Sequence, residues 1–135
     1  MTLLAFQNAP TNNSEDILIV DDEADVRYIV KLVLKRFLNY QAREAGDGLE
    51  ALELVRQKEP RLIILDLTMP RMDGISFLEH MRADPDISDI PVLIFTAHVV
   101  TPEQAERLQI PESMIMRKSG LKIDELGKAI SQVLM

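Results

Sequence analysis

The chain has no cysteine. That excludes disulfides, thiolate metal centres and a cysteine nucleophile, and it leaves the redox compartment open. It also has no long apolar run: Leu3 to Phe6 is far too short to span a bilayer, and no later segment approaches the ~18 consecutive apolar residues a membrane helix needs. Positive charge is in deficit, with 15 Lys+Arg against 22 Asp+Glu and a net charge of −7. That balance argues against a surface for nucleic-acid phosphates or an anionic membrane. Internal repeats and low-complexity tracts are missing too. What is present, 135 residues that are 47% hydrophobic and 27% charged, suits one globular domain able to build a core without covalent staples.

The charge is unevenly spread. Residues 1–15 carry −1, residues 16–66 carry −3, residues 67–113 carry −5 and residues 114–135 carry +2. The opening stretch MTLLAFQNAPTNNSE has neither the basic start nor the apolar run of a secretory leader, and Asn8, Pro10, Asn12, Asn13 and Ser14 make it polar and turn-rich. A flexible arm over 1–15 followed by one domain over 16–135 is expected, with a cytoplasmic location.

From Asp16 onward two textures alternate. Short unbroken apolar runs lie at Ile17 to Val20, Leu62 to Leu65 and Val92 to Phe95. Without polar alternation, such runs predict strands buried on both faces, as in a parallel sheet covered by helices. Weaker strand candidates are Tyr40 to Ala45 and Ser113 to Arg117. Between them the apolar period is helical: Val26, Ile29, Val30, Val33, Leu34 and Phe37 form one stripe. Leu49, Leu52 and Val55 form a second, Ile75, Leu78 and Met81 a third, and Ile123, Leu126, Ile130 and Val133 the last. Thr101, Pro102 and Gln104 read as a capping box with proline in the first turn, opening a helix through Leu108. Five βα pairs in so short a chain predict an α/β fold with an open parallel sheet and helices on both faces. In such sheets ligands bind beyond the carboxyl ends of the strands, where strand order reverses.

The predicted strand ends carry chemistry. The first runs into Asp21, Asp22 and Glu23, the third into Asp66, the fourth into Thr96, and the fifth into Lys118. Taken singly, Asp21 and Asp22 could cap the first helix and Asp66 could be a turn residue. Taken together, capping leaves Thr96 and Lys118 unexplained. Three clustered carboxylates repel one another unless a cation intervenes. Oxygen donors without Cys or His suit Mg²⁺. A carboxylate can also attack phosphorus to give an aspartyl-phosphate, and the hydroxyl and ammonium then suit the remaining phosphoryl oxygens.

The ordered set ILIVDDE (17–23), LIILDLTMPRMDG (62–74), PVLIFTA (91–97) and Lys118 resembles the receiver domain of bacterial two-component response regulators, of the chemotaxis-regulator kind, over about residues 15–135. The spacings agree: 44 residues from Asp22 to Asp66, 30 from Asp66 to Thr96 and 22 from Thr96 to Lys118. The resemblance implies a flavodoxin-like (βα)5 fold with strand order 2-1-3-4-5. It implies that Asp66 accepts a phosphoryl group from a histidine kinase or histidine phosphotransferase, and that Mg²⁺ is held by Asp22, Asp66 and the Thr68 backbone carbonyl, with Asp21 acting through water. It implies Thr96 as the switch hydroxyl, Lys118 as the cation on the phosphoryl oxygens, and Thr68 and His98 as residues that tune the lifetime of the phosphorylated state. Gly74 is expected to use its freedom at positive φ to shape the loop into the third helix.

Three positions depart from the family pattern. Ser119 replaces the usual proline after the lysine, which disfavours a cis peptide there by about 2.5–4 kcal/mol. Ile115 stands at the aromatic switch position, so rotation of a Tyr or Phe cannot be the readout. Pro111-Glu112 replaces a common Gly-Ala pair ahead of the fifth strand. His80 and the seven methionines read as ordinary surface and packing residues. Arg27, Lys31, Lys35 and Arg36 read as a solvated helix face, with kinase docking as the second reading. The leading expectation is a switch that repacks the fourth helix, fifth strand and fifth helix to control a protein partner or an output domain, possible homodimerisation included. A phosphate-ester hydrolase and a non-phosphorylated binding module are the other classes. A stand-alone receiver and a piece of a longer regulator or hybrid kinase both fit.

Overall fold

The computed structural model describes residues 16–134; the expected N-terminal arm lies outside them. Five parallel strands, β1 (Asp16–Val20), β2 (Gln41–Ala45), β3 (Leu62–Leu65), β4 (Val92–Thr96) and β5 (Ile115–Arg117), form one sheet in the order β2-β1-β3-β4-β5. The helices are α1 (Ala24–Val33), continued by a π turn over Leu34–Leu38, α2 (Gly48–Gln57), α3 (Gly74–Ala83), α4 (Pro102–Leu108) and α5 (Ile123–Leu134). The expected order and all five βα pairs are present.

The unbroken apolar runs produce two cores because strand side chains alternate between faces. Leu18, Val20, Ile63, Leu65, Val92 and Ile94 point to the face covered by α2, α3 and α4. Ile17, Ile19, Leu62, Ile64, Leu93 and Phe95 point to the face covered by α1 and α5. Every residue of β1, β3 and β4 is buried. Each of their apolar side chains is stabilised by roughly 1.5–3 kcal/mol through loss of water contact. β2, at the edge, is polar and only partly covered. β5, at the other edge, is shorter than expected, because Glu112–Met114 forms a 3-10 turn ahead of it.

Local signals account for most helix ends. Asp47 and Asp73 each cap a helix by accepting a hydrogen bond from the backbone N–H three residues on, Glu50 at 2.9 Å and Ser76 at 2.8 Å. The Thr101–Gln104 capping box forms as expected. α4 stops at Gln109, which takes a left-handed φ of 57°, and Pro111 follows. The apolar stripe of α1 is corrected in part: Val30, Val33 and Leu34 are buried, but Ile29 and Phe37 are 38% and 50% exposed. The π turn widens the helix at Leu34, so the 3.6-residue spacing no longer carries Phe37 onto the core. Phe37 instead lies over α5, where a Cβ on Gly127 would be 3.8 Å from it.

Candidate functional site

The order of the sheet reverses between β1 and β3, and the acids follow those two strands. Backbone pairing continues past the strand ends: Asp66 N–H donates to Val20 O at 2.9 Å and Asp21 N–H to Ala45 O at 3.0 Å. Asp21 and Asp66 are thus aimed out of the sheet rim by the ladder itself. Lys118 N–H donates to Thr96 O at 2.8 Å, which brings the ends of β4 and β5 to the same rim.

Asp21, Asp22, Asp66 and Lys118 converge, and Thr96 ends β4 at the same rim. Carboxylate oxygens of Asp21, Asp22 and Asp66 lie within 4.8 Å of one another. Asp21, Asp66 and Thr96 are buried, whereas Asp22 is open to solvent. Lys118 Nζ lies 2.7 Å from Asp21 Oδ2 and 3.3 Å from Asp66 Oδ2. It also lies 3.4 Å from Glu23 Oε1, a contact not foreseen from the sequence although Glu23 sits in the same acidic triplet. Burial pushes the Asp21 carboxyl above its ordinary pKa, and the charge of Asp66 adds to this against the hydrogen bonds from Lys118 and Glu23 N–H. Burial alone would lower the Lys118 ammonium, but its hydrogen bond with Asp21 and the attraction of Asp21 and Asp66 outweigh that and raise it. Three carboxylates share one fully engaged ammonium, so the cluster has room in charge for a cation. Its all-oxygen donor set fits a hard divalent ion. These residues could hold a metal ion.

The reading of these acids as mere caps does not account for them. Glu23, not Asp21 or Asp22, occupies the N-cap position of α1, and its side chain makes no capping bond. Asp21 Oδ1 does accept from Glu23 N–H at 2.9 Å, and Asp66 Oδ1 accepts from Thr68 N–H at 3.4 Å, so both also shape their turns. Thr68 and His98 are exposed beside the site, and His98 N–H donates to Thr96 Oγ1 at 3.3 Å. Ile115 is half-buried against the core under α2, α3 and α4. His80 is an exposed residue whose Nδ1 lies 2.8 Å from Ser76 O.

Several expectations change. Gly74 does not take a positive φ; that conformation falls at Arg71, with φ 65°. Gly74 is needed for close approach instead, since a Cβ there would lie 2.4 Å from Asp66 O and 2.7 Å from Leu67 Cα. No described peptide is cis. Arg27 and Lys31 are not simply solvated: both pair with Glu44, at 2.9 and 2.8 Å, and Arg27 also donates to Asp21 O at 2.7 Å. The hydrogen bonds from Lys31 and Arg27 hold the Glu44 carboxyl below its usual range. Asp47, which the sequence reading passed over, pairs with Arg71.

Comparison with known proteins agrees with this geometry. The profile described as response regulator receiver domain matches residues 17–131. The chemotaxis protein CheY-3 of Vibrio cholerae is 38% identical over 102 residues, 76% of this chain and 74% of that one. The chain spans less of other relatives, 33% of the length of the ycf27 regulator of Porphyridium aerugineum. Among solved structures, the N-terminal domain of a response regulator receiver protein from Methanoculleus marisnigri JR1 matches with a TM-score of 0.69 and 35% identity, over 88% of this chain and 95% of that one. The Mn²⁺-bound form of the response regulator Rcp1 matches with a TM-score of 0.68 and 25% identity, over 88% of both chains. Among the described residues no helix is long and apolar enough to cross a membrane. A parallel sheet in this order, acids at its switch point and a family match over nearly the whole described domain lead to one assignment: the chain belongs to the response regulator receiver domains, the phosphorylation-dependent signalling switches of two-component systems.

Proposed function

We propose that Asp66 is the phospho-acceptor, with residues 16–135 forming the receiver unit. The observation that carries this is the placement of Asp66 at the β1/β3 switch point with Lys118 Nζ 3.3 Å from its Oδ2. In the reaction an Asp66 oxygen attacks the phosphorus of a phosphohistidine donor. The new P–O bond forms as the P–N bond breaks, and the imidazole nitrogen keeps the electron pair. Lys118 pairs with a phosphoryl oxygen, and the Thr96 hydroxyl turns toward another. Asp22, Asp66 and the Thr68 carbonyl are the proposed direct ligands for Mg²⁺, with Asp21 reaching it through water. When bound, the ion offsets charge on the attacking carboxylate and the phosphoryl oxygens. The Mn²⁺-bound Rcp1 relative supports a divalent ion in this kind of fold.

The catalysis is confined to the domain's own phosphorylation and dephosphorylation, the latter tuned by Thr68 and His98, which flank the entrance to the site. Phosphorylation adds charge beside Thr96 and repacks α4, β5 and α5 around Ile115. Partners are a cytoplasmic histidine kinase or histidine phosphotransferase and a downstream protein or output domain, with a phosphorylation-dependent homodimer as one form of output. Incubation with acetyl phosphate and Mg²⁺ is expected to add one labile phosphoryl group by mass spectrometry. No addition to wild type, or undiminished addition to Asp66→Asn, overturns the proposal.

A further inference from the structure

Between Asp66 and α3 the chain runs for seven residues, 67–73, with no regular secondary structure. This loop carries the Thr68 carbonyl, so its position decides whether the proposed ligand set is formed in advance. Leu67 and Met69 point into the core and are nearly fully buried. Gly74 N–H closes the loop on Leu67 O at 3.0 Å. The far side is held by something less expected. Arg71 adopts a left-handed φ of 65°, a conformation that costs a non-glycine residue roughly 1–2 kcal/mol. Its guanidinium grips Asp47, with Nε 2.8 Å from Oδ2 and the terminal nitrogen on the same oxygen.

Asp47 is buried and caps α2 through its other oxygen, which accepts from Glu50 N–H at 2.9 Å. That bond, followed by the pairing with Arg71, holds its carboxyl below the ordinary range. One residue on, Gly48 N–H donates to Met72 O at 2.9 Å, and a Cβ on Gly48 would lie 2.7 Å from that oxygen. The backbone of the loop is therefore pressed onto the first turn of α2, with an ion pair beside the contact. Neither Asp47 nor Arg71 is among the groups that converge on the rim.

We infer that the Asp47–Arg71 pair is a positioning clamp that pins the 67–73 loop to α2 and so pre-sets the Thr68 carbonyl for the divalent ion. The inference rests on the proposed Mg²⁺ site. It gives α2, which contributes no group to that site, a role in ion affinity. Groups that orient ligands from behind typically matter 10–100-fold in metal affinity, and a partly redundant clamp falls at the low end, about tenfold.

The test is Mg²⁺ titration of the unphosphorylated protein by calorimetry. Asp47→Asn keeps the helix cap, because the amide oxygen still accepts from Glu50 N–H, but loses the charge. Arg71→Gly keeps the left-handed backbone at no steric cost and loses the guanidinium. Each is expected to weaken Mg²⁺ about tenfold. The double variant is expected to be no worse than either single one, because both break the same link. Phosphorylation by acetyl phosphate should slow at limiting Mg²⁺ and return to the wild-type rate at saturating Mg²⁺. A pair that is only a structural staple would lower the urea midpoint while leaving the Mg²⁺ dissociation constant at the wild-type value, and that result overturns the clamp alone. If wild type itself binds no Mg²⁺, the proposed ion site falls and the clamp falls with it.

Discussion

The two halves of the sheet are built to different standards. β1 and β3, with the rim between them, are buried on both faces, and the acids they aim outward are held by backbone ladders and by Lys118. The α4–β5 side is slighter. β5 has three residues, none of them buried, and α4 has seven, of which only Ala105 and Leu108 are covered. Val99, just after β4, is 64% exposed, and a groove of about 250 Å³ runs between α4 and β5 past Val100, Pro102 and Ile115. Asp21 and Asp66, which must stay close to one another, follow strands whose packing leaves little freedom. The part proposed to repack sits where few apolar contacts oppose movement. Ile115 in place of an aromatic side chain suits a shift of packing in that groove better than rotation of a single large ring.

The largest expected effect tests this contrast directly. Leu65→Ala, at a fully buried position of β3, should cost about 2–5 kcal/mol in urea unfolding. The same truncation at half-buried Ile115 should cost less than about 2 kcal/mol. Equal losses would break the comparison. Next in size is Gly74→Ala, which drives a methyl into Asp66 O and Leu67 Cα. It should cost about 1–3 kcal/mol and slow phosphorylation of Asp66, whereas Gly127→Ala, whose Cβ would meet only ordinary contacts at 3.7–3.8 Å, should leave the phosphorylation rate unchanged.

The smallest effect concerns pH. Glu44, between Lys31 and Arg27, has its carboxyl lowered in the folded state. Its pairing therefore contributes fully above the ordinary glutamate value of about 4.5 and is lost as pH falls through the lowered folded value. Glu44→Gln should be less stable than wild type at neutral pH, and the gap in urea midpoints should close in acid. A gap that widened below pH 4.5 would contradict the assignment.

Much of this was legible in the chain because strongly periodic or unbroken apolar segments have few alternatives. The runs at 17–20, 62–65 and 92–95 became β1, β3 and β4, and each acid sits where its strand ends. The signals were weaker where tertiary contacts decide. Gly74 was legible as a needed glycine, but for φ, when the true constraint is the backbone of Asp66 pressed against it. Phe37 fell on the apolar stripe, but a π turn moved it off. Asp47 and Arg71 lie 24 residues apart with no shared motif, so nothing local announced their pairing.

By itself, the sequence determined the five βα units, the all-oxygen chemistry of the site and the spacing that places acid, hydroxyl and ammonium at strand ends. These follow from period, residue type and the rule that parallel strands present the same end to one rim. Only the tertiary structure decided that Lys118 also meets Glu23, that Arg27 and Lys31 turn inward to Glu44, and that α2 grips the loop after Asp66. Such contacts join elements distant in the chain. Their geometry depends on how the helices settle on the finished sheet.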